Sequence, residues 1–512
     1  MSNPRPFSLE HWAVHKPDVP ALFDGDTRLS WAQWNAASDR LARSLMALGV
    51  QGTEVIAVRS RVRHEWCVTA GAAAKLGCPM LCLNWRNTAT ETRHMLTDSS
   101  VRVLIVDDAE PSSLQGAWDG LGVILITIDA LAPGFHSFAE LVARPAAPLH
   151  SLAETQLIIY TSGTTGAPKG VQTDRPSGDP QVVAEYMADV IQRGNQDRGD
   201  VVLSTLPVHH AAGSNTIQRA IYWGNSLILM RRYEPEAALK LIHQHRVSFW
   251  FTVPTLITRM QALPREILAR YGVSSMRVLL IGSAPVAADM KAWIVEYFGA
   301  RLTETYGSTE TGLITGLSPV MYEKKPASSG TPFRHAAVKI RDEKGAALAT
   351  GEVGEIWAKT PFVVDRYLGT PRLGPDVLDA EGFFRMGDVG WLDQEGYLFI
   401  TDRVKDLIIS GGVNIYPAEI EAVLLRHPSV QDVAIIGIPN DEFGEEIKGF
   451  VELKPGATTT MRALLDFCVG ELASYKHPRS LELTAKLPRN TMGKLLKREL
   501  REPFWRDRER KV

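Results

Sequence analysis

Leu157-Ile158-Ile159-Tyr160-Thr161-Ser162-Gly163-Thr164-Thr165-Gly166-Ala167-Pro168-Lys169-Gly170 sets a short apolar run against a loop of small, hydroxylated and glycine residues. The apolar half reads as a buried strand, since a brief Leu/Ile run bounded by turn residues suits a sheet covered on both faces. The second half has the composition of an anion cradle. Gly163, Gly166 and Gly170 let the backbone turn sharply and aim N–H groups at one point. Thr161, Ser162, Thr164 and Thr165 add hydroxyl donors, and Lys169 adds a positive charge. This is not a Walker A loop, because Pro168 stands before the lysine and Gly170 after it. The stretch therefore predicts a strand feeding a phosphate-binding turn.

Outward from this strand, segments of helical period alternate with short β-branched runs. Helices are expected over 35–48, 66–76 and 90–96, with strands over 54–58, 80–83 and 101–106. Beyond the loop, 201–206, 226–229, 247–251 and 278–281 read as further buried strands. This rhythm predicts an α/β fold, a large N-terminal domain of parallel sheets covered by helices. From about 336 the pattern changes to strands at 338–340, 354–358 and 397–401 separated by Gly-, Asp- and Pro-rich turns, a small antiparallel, β-barrel-like part. After 402 come a helix at 418–425, strands at 433–438 and 449–453, and a helix at 461–472, a small α+β unit. The division expected is 1–402 and 403–512.

The composition excludes several classes. With 512 residues, 45% hydrophobic and 22% charged, the chain is neither disordered nor fibrous. Lys+Arg of 56 against Asp+Glu of 58 gives no net pull toward nucleic acid or anionic lipid. Four cysteines cannot form a disulfide scaffold, and no His/Cys cluster completes a zinc site around Cys78 and Cys82. Buried thiols in a reducing, cytoplasmic setting are expected. No signal peptide is visible at the start, and no apolar run is long enough to cross a bilayer.

Four more motifs follow the loop in order. They are Thr303-Glu304-Thr305-Tyr306-Gly307-Ser308-Thr309-Glu310, Phe384-Arg385-Met386-Gly387-Asp388, and Asp402-Arg403-Val404-Lys405-Asp406 running into Ser410-Gly411-Gly412 and on to Glu421. The last is Pro488-Arg489-Asn490-Thr491-Met492-Gly493-Lys494. Together they resemble the signatures of the adenylate-forming superfamily, which includes acyl-CoA synthetases, aryl-CoA ligases and adenylation domains of peptide synthetases. The resemblance covers nearly the whole chain.

It implies ATP, Mg²⁺ and coenzyme A as the small molecules used, and a role for each motif. ATP or AMP would be held by Thr161 to Gly166, Lys169, Gly282, Ser283, Ala284, Glu304 to Thr309, Asp388, Arg403 and Lys494. Tyr306 would stack on adenine, Asp388 would take the ribose hydroxyls, and Glu310 with Thr164 would hold Mg²⁺, a hard cation that prefers oxygen ligands. Lys494, Glu310 and Lys169 would be the catalytic set. Lys494 would bridge the attacking carboxylate and the α-phosphate, relieving the repulsion of two anions. The carboxylate is already ionised near neutral pH, so a general base is not required. His210, Ala211, Phe251 and Gly282 would line the acyl pocket. Ser410, Gly411 and Gly412 would guide the thiol, and Lys405 would be the hinge between domains.

One departure stands out. After the phosphate loop the chain reads Val171-Gln172-Thr173-Asp174-Arg175-Pro176, which delays the next helix start. The function expected is an ATP-dependent ligase joining a fatty, aromatic or polycyclic carboxylic acid to CoA. A stand-alone enzyme loading a carrier-protein pantetheine and a non-catalytic nucleotide-binding homologue remain as alternatives. The partners are small molecules, with no nucleic acid and with a homodimer left open.

Overall fold

The computed structural model describes residues 5–107, 114–152, 154–161, 168–172, 179–284, 286–411, 413–469, 471–491 and 493–506. Two large sheets dominate. A seven-stranded sheet runs His136–Ser137, Ile124–Thr127, Val101–Val106, Val55–Arg59, Met80–Leu83, Leu157–Thr161, Lys169–Gln172, parallel until the last strand turns back as a hairpin. A nine-stranded sheet has Val278–Gly282, Phe249–Thr252, Val201–Ser204 and Ser226–Leu229 as adjacent parallel strands at its centre. Antiparallel strands lie toward both of its edges, with the N-terminal Pro20–Asp24 and Thr27–Ser30 at one of them.

The sheets share one core because helices lie between them. Trp31–Ala47 starts on a capping box of Ser30 and Gln33, and His64–Leu76 packs beside it. Trp31, Trp34 and Trp66, all fully buried, join Ile56 and Met80 of one sheet to Leu22 and Leu227 of the other. Burial of this much apolar surface is the main force holding the layers. All four cysteines are free and buried, as expected of apolar thiols.

The expected antiparallel part is a four-stranded sheet, Ala337–Arg341, Gly354–Lys359, Phe384–Leu392 and Leu398–Arg403, in sequence order. Its last strand bonds to the segment just before Thr331–Pro332, with Ser329 N and Leu398 N donating at 2.8 Å each to Leu398 O and Gly330 O. That seam continues it into the nine-stranded sheet. Because Arg403 still pairs with Asp388 across this sheet, the sheet ends one residue past the expected division at 402. A 3-10 turn, Val404–Asp406, follows.

The remaining chain builds its own core from Ile408, Ile420, Val433, Ile435 and Leu464 around the long hairpin Val430–Asn440/Gly444–Leu453. The helix expected over 461–472 stops at Cys468, where Val469 turns extended (φ −71°, ψ 126°). Among the described residues no helix is long and apolar enough to cross a membrane.

Candidate active site

A cavity of about 1570 Å³ opens at the carboxyl ends of Leu157–Thr161, Val278–Gly282 and Arg301–Ser308, where parallel α/β sheets place their ligands. The sequence motifs converge on it from both domains.

On one wall, Glu310 sits in the tight turn between Arg301–Ser308 and Gly312–Leu317. Hydroxyls of Ser308 and Thr311, 3.1 Å apart, brace that turn, and the Glu310 carbonyl accepts from Val364 N at 2.9 Å. The carboxylate accepts from Thr161 Oγ1 at 3.0 Å. Lys169 lies 4.8 Å over the Tyr367 ring, and burial together with Glu310 pushes the Tyr367 hydroxyl up to about 12. A carboxylate, a hydroxyl and a cation thus face the start of the phosphate loop. Ser162 to Gly166, including Thr164, lie outside the described residues.

Opposite, the Tyr306 hydroxyl donates to Asp388 Oδ2 at 2.7 Å, and Arg403 Nε lies 3.1 Å from Asp388 Oδ1. Burial and then the Asp388 charge push the Tyr306 hydroxyl well up, keeping it a donor. Neither Tyr306 nor Asp388 lines the cavity, although their neighbours Thr305, Gly307 and Gly387 do, and three further expectations need correcting. Glu304 does not face the cavity; its carboxylate makes a buried ion pair with Lys291 at 2.5 Å and accepts from Ser329 at 3.1 Å. Gly282 sits against the Thr305 carbonyl of the adjacent strand and lines neither the nucleotide side nor the acyl side. Ala284 is also off the wall, whereas Ser283, at φ +66°, bends onto it.

The C-terminal domain closes the cavity with the loop 488–495. Asn490 holds the loop by accepting from Lys494 N at 2.8 Å and donating from its own N–H to Lys494 O at 2.9 Å. Gly493 takes φ +74°, and a Cβ there would meet Thr255 at 2.6 Å, so only glycine lets the loop seat on the N-terminal domain. Thr255 Oγ1 donates to Gly493 O at 2.9 Å. Thr491 Oγ1 stands between His209 Nε2 at 3.1 Å and His210 Nε2 at 2.9 Å. Burial pushes His210 down to about 4 and His209 well below its ordinary value, so both rings are neutral near pH 7.

This seating carries Lys494 into the interior. Burial first, then the charges of Arg403 and Lys405, lower its pKa to about 7 against the opposing pull of Asp388 and Asp406. Three cations gathered about one buried point make a site that favours anions.

From His210 the cavity runs on between the helices Pro180–Gly194 and Ala211–Trp223, with Ala211 and Phe251 on its wall as expected. Pro180–Gly194 starts on Asp179, confirming the delayed start. Ser410 and Gly411 are elsewhere. They form the turn of the hairpin Ile408–Ser410/Val413–Ile415, with Gly411 N bonded to Phe443 O at 2.8 Å, and neither lines the cavity. Gly412 lies outside the described residues. Lys405 does line the cavity, while its carbonyl accepts from Arg501 at 2.5 Å. Thr491, Thr255 and Tyr367 are site residues that no sequence motif had given a role. Thr491 was the legible one, inside a quoted motif and three residues before the lysine.

A nucleotide-sized cleft at the strand ends, an acyl arm and a buried lysine delivered by a second domain define an AMP-forming acid–thiol ligase. The chain belongs to the AMP-binding enzyme family, whose model matches residues 9–368, with its C-terminal domain matching 419–494. Over 508 residues it is 31% identical to a fatty acid–[acyl-carrier-protein] ligase of Streptomyces coeruleorubidus, covering 98% of this chain and 96% of that one. It is 34% identical over 494 residues to a 2-succinylbenzoate–CoA ligase of Geobacillus kaustophilus, covering 96% of each. Among solved structures, ATP-bound MatB from Rhodopseudomonas palustris superposes with a TM-score of 0.84 at 29% identity over 98% of this chain and 99% of that one.

Proposed function

We propose that the protein joins a carboxylic acid to CoA through an acyl-adenylate formed in this cavity. The observation that carries the reading is Lys494, buried at the junction of the nucleotide cleft and the acyl arm, with Arg403, Lys405 and Asp388 around it. A substrate carboxylate oxygen attacks the α-phosphorus of ATP, the bond to pyrophosphate breaks, and Lys494 offsets the repulsion between the two anions. Coenzyme A then attacks the acyl carbon, the thiol gives up its proton, and AMP leaves.

Asp388 takes the ribose hydroxyls in place of its present bonds to Tyr306 and Arg403. Glu310, with the Thr161 hydroxyl beside it, has the oxygen donors a hard cation needs, so these residues would hold Mg²⁺, which supplies charge neutralisation on the phosphates. His210, Ala211 and Phe251 position the acyl group. The apolar walls support a fatty or aromatic acid, the kinds for which the two relatives above are named. One of them is named for a carrier protein, which keeps that acceptor as the second reading.

The test is AMP release from ATP with a panel of fatty and aromatic acids, with Mg²⁺ titrated, and with CoA or a carrier protein as acceptor. Release that requires CoA supports the proposal. Release only with the carrier protein supports the second reading, and no release with any acid contradicts both.

A further inference from the structure

Arg219 carries a charge that the reaction above does not use. It lies on the helix Ala211–Trp223, on the wall of the acyl arm. Its Nη2 is sealed from solvent and makes no hydrogen bond among the described residues. Burial pushes its titration down to about 10, and among the described residues no carboxylate opposes the shift. A guanidinium nevertheless stays charged, and an unpaired buried charge is costly to keep.

None of the acids that share this cavity, Glu91, Glu154, Glu310, Glu355 and Asp376, influences Arg219. Glu154 pairs with Arg5, Glu310 accepts from Thr161, and Glu355 accepts from Arg385 at 2.8 Å. The placement of Arg219 is also specific. Val183, Met187, Val190 and Ile191 present one apolar stripe of the helix Pro180–Gly194 to the cavity. The stripe ends at Gly194, where a Cβ would stand 2.9 Å from Arg219 Nη2, so the missing side chain makes room for the guanidinium. The arm is thus apolar along the helix Pro180–Gly194 and meets a cation where that stripe ends, before the wall continues to Tyr222 and Trp223. At about 1.5 Å per residue, Arg219 is roughly 13 Å along its helix from His210, where the reacting end is held.

We propose that the acid substrate carries a second anionic group at its far end, which Arg219 receives: an α,ω-dicarboxylate of medium length or an acid of equivalent charge placement. This rests on the ligase reading and names the substrate class of the same site. A distal carboxylate gives Arg219 the charged partner that none of the described residues provides.

The experiment compares sebacate with decanoate, and dodecanedioate with dodecanoate, in ATP–pyrophosphate exchange, alongside calorimetric binding of sebacate. The wild-type protein should favour each diacid over its monoacid by about thirtyfold or more in kcat/KM, the loss expected when one member of a buried charge pair is missing. Arg219→Leu should reverse the order, lowering the diacids by about the same factor and raising the monoacids. Arg219→Lys should keep the wild-type order at reduced size. Monoacids preferred by the wild-type protein would overturn the proposal, as would a diacid preference unmoved in an Arg219→Leu protein of normal melting temperature. Sebacate binding that vanishes in Arg219→Leu, without exchange by any acid, would support the pocket and overturn the ligase reading. Neither exchange nor sebacate binding would overturn both.

Discussion

Two loops of the C-terminal domain bear the marks of function, and they are placed differently. The loop 488–495 is seated in the cavity. Thr491 stands between two neutral histidines, Gly493 lies against Thr255, and Lys494 sits beside Arg403 and Asp388. The Ser410–Gly411 turn, on the same domain, is bonded to Phe443 and stands off the cavity wall. One rigid domain cannot present both. We propose that this arrangement serves adenylate formation, and that the domain turns about the short segment between Arg403 and Ile408 for thioester formation.

The sharpest break of this comparison is at the lysine. Lys494→Met should lower adenylation by about a hundredfold to a thousandfold, the range for losing one preorganised charge stabiliser. Thioester formation from supplied acyl-adenylate should persist. Equal loss in both half-reactions would make the lysine a packing residue.

Gly493→Ala acts on the seating alone. Its positive φ costs an L-residue about 1–2 kcal/mol, and the added Cβ meets Thr255, so adenylation should fall about tenfold or more while thioester formation holds. A parallel fall in both would show that the loop is not specific to the first step.

A smaller effect comes from pH. Folded Lys494 loses its proton near 7 rather than near 10.5, and only the charged form attracts phosphate. ATP binding should therefore be at its full strength below pH 7 and weaken as pH rises above it, by at most about tenfold per unit, with proton uptake. Lys494→Met should remove the uptake. Stability moves the other way. Between about 7 and 10.5 the unfolded chain holds a proton that the folded one lacks, so burial of this lysine costs less as pH rises.

Much of this was legible in the sequence, for identifiable reasons. Strands such as Met80–Leu83 and Val101–Val106 announce themselves because parallel strands buried on both faces are uninterrupted apolar runs. Glu310 and Lys494 are legible because their motifs fix backbone shape as well as side chain. Glu304 misled because it stands in the same motif, yet strand alternation turns it toward Lys291 and away from the cavity that Thr305 faces. Arg219 left no signal at all, since in sequence it is one polar residue on an amphipathic helix. Its meaning comes from Gly194, distant in the chain, and from the absence of an acid nearby among the described residues. The pairing of Thr491 with His209 and His210 depends on how two domains meet, which periodicity within either one does not encode.

The hinge links the two placements. Lys405 lies in the 3-10 turn Val404–Asp406, a conformation with φ near that of proline. Proline there would hold the observed arrangement and oppose the turn of the domain. The decisive measurement is therefore pyrophosphate exchange and thioester formation on one folded preparation of Lys405→Pro. Exchange should continue while thioester formation is lost; both activities retained, or both lost together, would contradict a hinge at Lys405.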